Sequence, residues 1–248
     1  MMIDQTLDRG SSPLHRVDPR ARVVAAVGFS LAVVLAPTWQ GALLGLVFGA
    51  VFTGAARIPL HTLSARLLAV NGFIVFLWCV LPFTVPGTKF FEVGVLAATR
   101  EGATLAWLIT LKSNAVLLAF LALISTISVP ALGYAMGTLR VPSKLVYLFL
   151  FTARYVHVIM EEYRRLARAA RVRGFAPGTS LHTYKTVADM FAMLLVRSWD
   201  RAFRVHQAMV LRGFQGRFHS LDRFTVRQGD VLFLAVVLTG VLAILYLY

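Results

Sequence analysis

The stretch Leu145-Val146-Tyr147-Leu148-Phe149-Leu150-Phe151-Thr152-Ala153-Arg154-Tyr155-Val156-His157-Val158-Ile159 decides the fold. It is apolar enough to enter a membrane. Whether it crosses fixes the side on which everything after it lies. Residues 161–228 carry thirteen Lys and Arg against five Asp and Glu. So basic a segment resists export, because Lys and Arg near a span are retained on the cytoplasmic side. Upstream, four apolar runs read as spans, at 23–36, 41–56, 67–83 and 103–129. With the N-terminus inside, four crossings return the chain to the cytoplasmic side, and a fifth at 145–159 would export the basic segment. The parity count therefore predicts that 145–159 is the buried end of a long helix lying in or under the membrane. The competing reading is a true span with one other run miscounted. A last span follows at 231–248, with Tyr246 and Tyr248 as interface anchors.

Composition agrees. The 248 residues are 58% hydrophobic and 15% charged, with a mean hydropathy of +0.73. Soluble domains average about 45–50% apolar and roughly 25% charged. A disordered chain is excluded, the composition argues strongly against an ordinary soluble enzyme, and a polytopic membrane protein is indicated. The net charge of +14 needs no nucleic acid, since cytoplasmic loops hold Lys and Arg. Cys79 is the one cysteine, so there is no intramolecular disulfide and no cysteine-based metal site, and it reads as a membrane-packed side chain. The polar first 22 residues read as a mature, cytoplasmic N-terminus, because a second apolar stretch follows the first almost at once. The runs at 23–36 and 41–56 are shorter than the ~20 residues a span needs and must borrow flanking residues or thin the bilayer. The expected organisation is all-α. A membrane domain with four spans covers 1–129, a cytoplasmic helical domain covers 130–228, and a C-terminal span covers 229–248.

Residues 143–173 contain no Gly or Pro, with Pro142 placed to start a helix and Gly174 to stop it. A second glycine-free stretch runs from 179 to 212 with the same polarity, apolar first and arginine-rich later. The two end alike. Ala169-Ala170-Arg171-Val172-Arg173-Gly174-Phe175 aligns with Ala208-Met209-Val210-Leu211-Arg212-Gly213-Phe214 at a constant offset of 39 residues. One reading is capping, since a last-turn arginine suits the helix dipole and Gly is the commonest stop. The other is docking. A guanidinium at a helix end pairs bidentately with carboxylates in an acidic groove, and the adjacent phenylalanine anchors in a pocket.

No Gly-x-x-x-x-Gly-Lys-Ser/Thr loop is present, so the chain has no P-loop of its own, and no Gly-x-Ser-x-Gly elbow or paired-carboxylate site is visible. The six histidines never sit three or four apart, which argues against a locally built zinc site, and His157 reads as a packing residue. Lys112, Ser113 and Asn114 interrupt the fourth span and mark either a pathway or a helix contact, and Asn71 could hydrogen-bond across helices. A polytopic lipid-modifying enzyme is the alternative of another class, but the spans as drawn hold no Asp or Glu. A basic surface protein that binds anionic lipid or nucleic acid is a third, against which the tandem motif speaks.

These features resemble the T component of energy-coupling-factor (ECF) transporters, in particular the cobalt-type, CbiQ-like group. The stretch Leu14-His15-Arg16-Val17-Asp18-Pro19-Arg20-Ala21-Arg22 resembles the family's approach to its first span. Arg140-Val141-Pro142, Ala153-Arg154-Tyr155 and Glu161-Glu162-Tyr163 resemble the run into its coupling helices, and the paired Arg-Gly ends resemble its two signature motifs. The family signature is written Ala-Arg-Gly, and Val172 and Leu211 stand here at its first position. The resemblance implies a non-catalytic scaffold in a prokaryotic plasma membrane, joining a substrate-binding membrane subunit to a dimer of cytoplasmic ABC ATPases. It implies that Arg173, Gly174, Phe175, Arg212, Gly213 and Phe214 meet the ATPases, with Ala169, Ala170, Arg171, Ala208 and Met209 as secondary contacts. It also implies that ATP and Mg are bound by the ATPases, with no cofactor or metal held by this chain. Met136, Met160, Met190 and Met193 would supply adaptable packing toward the substrate subunit. Cobalt is the implied cargo, with nickel or a vitamin as alternatives.

Overall fold

The computed structural model describes residues 12–93, 96–214, 216 and 228–246. The anchor Tyr248, residues 1–11 and the basic-segment residues Arg217, Asp222, Arg223 and Arg227 lie outside them. A 3-10 turn, Pro13–Arg16, leads into α1 (Pro19–Leu35), α2 (Trp39–Ala56) and α3 (Leu60–Thr84). A short antiparallel hairpin, β1 (Lys89–Val93) with β2 (Leu96–Thr99), precedes α4 (Arg100–Leu123) and α5 (Val129–Thr138). Two long helices, α6 (Ser143–Val172) and α7 (Leu181–Leu211), come before α8 (Gln228–Tyr246). The chain is an all-α multi-pass membrane protein, and the 3-10 turn, the hairpin and α5 are elements the sequence pattern did not announce.

Two compact units divide the chain, residues 1–135 with 223–248, and residues 136–222. In the first, α2 packs along α4 through small residues. Gly45 and Gly49 lie one turn apart, and a Cβ on Gly49 would stand 2.9 Å from the Ala115 carbonyl and 3.2 Å from Leu118 Cβ, whereas one on Gly41 would meet the Ile244 carbonyl of α8 at 3.3 Å. In a bilayer, where lipid is as apolar as leucine, such close backbone approach is what holds helices together. Phe29, Val33, Leu123 and Ile244 are the largest fully buried side chains, and Phe52 meets Phe29 edge-on at 5.7 Å.

Among the described residues five helices are long and apolar enough to cross a membrane, namely α2, α3, α4, α6 and α8. By length and composition alone, α6 meets this standard and α1, which holds the run at 23–36, does not. The reason is length: α1 has 17 residues, whereas α6 has 30 and the lowest mean hydropathy of the five, 1.2. The fourth run is also shorter than expected at its far end. α4 stops at Leu123, and a turn at 124–128 separates it from α5, whose second residue is Pro130. The interrupting polar residues make helix contacts. Asn71 and Asn114 exchange reciprocal amide bonds of 3.0 and 3.1 Å between α3 and α4. Each spends its other N–H on its own helix, on the Leu67 and Thr110 carbonyls. Lys112 Nζ donates to the Val34 carbonyl at 2.7 Å, a cation on the orphan carbonyls of α1. Cys79 is exposed on α3, as a lipid-facing thiol would be.

Candidate functional site: the capped ends of two long helices

The second unit is built on α6 and α7. Ser180 caps α7, its Oγ accepting from the Thr183 N–H at 3.3 Å. Three contacts fix how the helices meet. Tyr163 stacks on Phe191 at 6.1 Å, Glu162 accepts a hydrogen bond from Arg197, and Tyr147 meets Phe214 edge-on at 5.8 Å. Early α6 thus lies beside late α7, and late α6 beside early α7, so the pair is antiparallel. The Arg197 hydrogen bond, with Arg165 and Arg201 nearby, holds the Glu162 carboxyl below the usual carboxylate range. A groove of about 700 Å³ runs between the helices, lined by Tyr147, Phe151, Tyr155, Leu194, Met209 and Phe214, with Glu162, Arg197 and Arg201 contributing its polar part.

Both helix ends are Schellman caps. At α6, Arg173 is the C-cap, Gly174 takes φ +85°, the Gly174 N–H donates to the Arg171 carbonyl at 3.0 Å, and the Phe175 N–H donates to Ala170 at 3.0 Å. At α7, Arg212 is the C-cap, Gly213 takes φ +79°, its N–H donates to Val210 at 2.9 Å, and the Phe214 N–H donates to Met209 at 3.0 Å. This double bonding satisfies carbonyls that a helix end leaves orphaned, and the left-handed φ explains each glycine. Capping accounts for the glycines and leaves the arginine side chains without a task. Among the described residues neither the Arg173 nor the Arg212 side chain makes a hydrogen bond or ion pair, and both residues are exposed. Arg171 differs, folding back so that its Nε reaches the Ala167 carbonyl at 3.4 Å.

The residues of the two motifs occupy unlike positions. Val172 and Leu211 are 89% and 88% exposed, so the larger side chains at the alanine position of the signature crowd nothing in this chain. Ala169 and Ala208 are exposed, Ala170 is half-buried, and Met209 faces the groove. Phe175 and Phe214 are half-buried, and Phe214 lies on Tyr147. Twenty-six residues separate Tyr147 from Arg173, roughly 40 Å of helix at about 1.5 Å per residue, and Phe214 sits beside Tyr147. The two arginine ends therefore stand at opposite ends of the pair.

Two expectations are corrected. Met190, proposed as an outward packing residue, is 8% exposed and faces inward, whereas Met160 and Met193 are exposed. His157 is exposed rather than packed. One feature escaped the sequence reading. α7 turns its richer apolar face away from α6: Leu195, Val196, Trp199, Phe203 and Val210 follow helical spacing and are mostly exposed, with Trp199 at 76%. The signal was present in the three- and four-residue spacing of these apolar positions.

A multi-pass membrane scaffold with two exposed, glycine-capped arginine ends is the class of protein this geometry defines. Among the described residues no cluster of three or more His, Cys, Asp or Glu is placed to hold a metal ion. A family model described as "Cobalt transport protein" (CbiQ) matches residues 10–221. The chain belongs to that family and is an ECF-transporter T component, a non-catalytic transmembrane subunit. Among similar proteins, the energy-coupling factor transporter transmembrane protein EcfT of Heliobacterium modesticaldum is 27% identical over 215 residues, 83% of this chain and 81% of that protein. That of Acidaminococcus fermentans is 28% identical over 243 residues, 89% of each chain. That of Lacticaseibacillus paracasei is 28% identical over 268 residues, 95% of each.

Proposed function

We propose that the second unit is the coupling device of an ECF importer. Arg173 and Arg212 enter acidic grooves on the two halves of an ABC ATPase dimer, and the apolar outer face of α7 docks a substrate-binding membrane subunit. The N-terminus and the second unit lie on the cytoplasmic side, where ATP and Mg are held by the ATPases. The carrying observation is the pair of matching helix ends, each with an exposed, unpartnered arginine beside a left-handed glycine. A side chain retained twice with no intrachain bond suits an external carboxylate, to which a guanidinium bonds bidentately. Nucleotide chemistry belongs to the ATPases, since this chain has no P-loop. The cargo is a transition-metal ion, cobalt in the first instance, selected by the substrate subunit. The support for cobalt is the family description.

Arg173→Glu with Arg212→Glu tests the coupling role. Removing one partner of a desolvated charge pair at an interface costs about 2–5 kcal/mol, and reversal adds repulsion, so each end should lose at least roughly thirtyfold in ATPase affinity. Since neither side chain has an intrachain bond, the variant should insert and fold as the wild type does. Undiminished co-purification of the ATPases with the double variant overturns the assignment. Uptake of radioactive cobalt against nickel by cells expressing the full assembly tests the cargo.

A further inference from the structure

The first unit holds a polar hub that neither the caps nor the docking arginines use. Asp18 is 6% exposed, Arg22 3% and Asp230 3%. Asp18 caps α1 by accepting from the Arg20 N–H at 2.8 Å, and its own N–H donates to Asp230 Oδ1 at 2.8 Å, joining the starts of α1 and α8. Arg22 Nη1 donates to Thr126 Oγ1 at 2.9 Å, and Arg66 Nη1 donates to Ser125 Oγ at 3.1 Å, both on the turn before α5. Arg20 reaches α5 itself. Its Nη2 donates to Tyr134 Oη at 2.6 Å, and its guanidinium lies 4.8 Å from the Tyr134 ring centre.

Tyr134 stands two residues before the chain enters the second unit at Met136. α5 has only ten residues and, among the described residues, no extensive packing along another helix. Three arginines thus hold the turn before α5 and α5 itself, beside the buried Gly133 and Ala135. Burying such groups is costly unless each is paired, and here Asp18 Oδ1 lies 3.9 Å from Arg20 Nε while Arg22 rests on the Thr126 hydroxyl.

We infer that Arg20, through its hydrogen bond and cation–π contact with Tyr134, is the anchor that fixes α5 to the membrane bundle where the chain leaves it for the second unit. Arg20 is a positioning residue, with Arg22 and Arg66 steadying the turn behind it. If the second unit is pulled by ATPases, as proposed above, this joint passes the pull to the bundle rather than letting α5 swing. That consequence rests on the coupling reading, but the anchor itself does not.

The test is a distance distribution in the full chain in nanodiscs, with no partner present. One spin label sits on native Cys79 and the second on Glu161→Cys in the second unit. A bundle-internal pair, Cys79 with Leu242→Cys, is the control. Tyr134→Phe removes the hydrogen bond and keeps the ring, Arg20→Gln removes both contacts, and Arg20→Lys retains a cation. Loss of a charge-assisted bond should raise the detached population roughly tenfold, equivalent to about 1.4 kcal/mol. The Cys79–161 distribution should broaden in Tyr134→Phe and more in Arg20→Gln, and Arg20→Lys should partly restore it, while the control pair stays narrow. An unchanged Cys79–161 distribution in both Tyr134→Phe and Arg20→Gln overturns the inference. Equal broadening of the control pair also overturns it, because the hub is then a general staple of the bundle. Failure here leaves the coupling reading standing, and failed ATPase co-purification leaves the anchor standing.

Discussion

Replacing the cap glycines with alanine separates the two tasks of the paired motif. Gly174 and Gly213 have φ of +85° and +79°, and an added Cβ at either meets nothing within 4 Å. The penalty is therefore backbone strain alone. A left-handed L-residue costs about 1–2 kcal/mol, and the stiffer unfolded chain returns about 0.4–1, leaving a net loss near 1 kcal/mol at each site. The two ends should still differ. If the turn at Gly213 opens, Phe214 leaves Tyr147, and an aromatic pair of this kind is worth about 0.5–1.5 kcal/mol. Gly213→Ala should then cost roughly twice what Gly174→Ala does. Hydrogen exchange of the full chain in nanodiscs reads this directly, because the Phe175 and Phe214 amides are the donors to Ala170 and Met209. About 1 kcal/mol is roughly a fivefold acceleration of the Phe175 amide, with a larger change at Phe214. Gly178, which has no left-handed φ and has open space around it, is the control, and its replacement by alanine should be neutral or slightly stabilising. Unchanged exchange at both amides, or equal damage from Gly178→Ala, would refute the reasoning.

Gly49→Ala pushes a Cβ to 2.9 Å from a backbone oxygen of α4 and should destabilise the bundle by about 1–3 kcal/mol in unfolding from detergent, whereas Gly54→Ala, in open space, should not. Asn71→Leu alone should cost on the order of 1 kcal/mol by stranding Asn114, and the double variant with Asn114→Leu should cost less than the two singles added. Because the folded-state pKa of Glu162 is lowered, its ion pair stabilises above the usual carboxylate range and is lost as pH falls through the lowered value. Thermal unfolding of Glu162→Gln should lack that acid-side decline. Arg140 takes φ 65° with the Val141 N–H bonded to the Met136 carbonyl, a glycine-type cap without the glycine, so Arg140→Gly should raise stability by roughly 0.5 kcal/mol in the same unfolding assay.

Much of this architecture is written in short-range pattern. The glycine-free stretch from Ser143 to Arg173 and the stop at Gly174 mark α6 almost to the residue, because caps and helix breakers act within one turn. The matching ends were legible for the same reason. Less legible was anything set by which helices meet. The break at Leu123 follows no Gly or Pro in the run itself; the Ala122 carbonyl is met by the Thr126 hydroxyl, which in turn accepts from Arg22 on α1. Lys112 looked like an intramembrane charge, yet its partner is the carbonyl of a residue 78 positions earlier. Met190 and Met193 are equally apolar, and only the direction of α6 turns one inward and leaves the other bare.

A helix can bend but hardly stretch. With Arg173 and Arg212 at opposite ends of one antiparallel pair, two bodies gripping them as proposed above would be joined by a strut of fixed stride. When those bodies approach each other, the strut cannot shorten, so it must pivot. Under that proposal a linear squeeze would be turned into rotation, and a partner seated on the exposed aromatic flank around Trp199 would be swung with it.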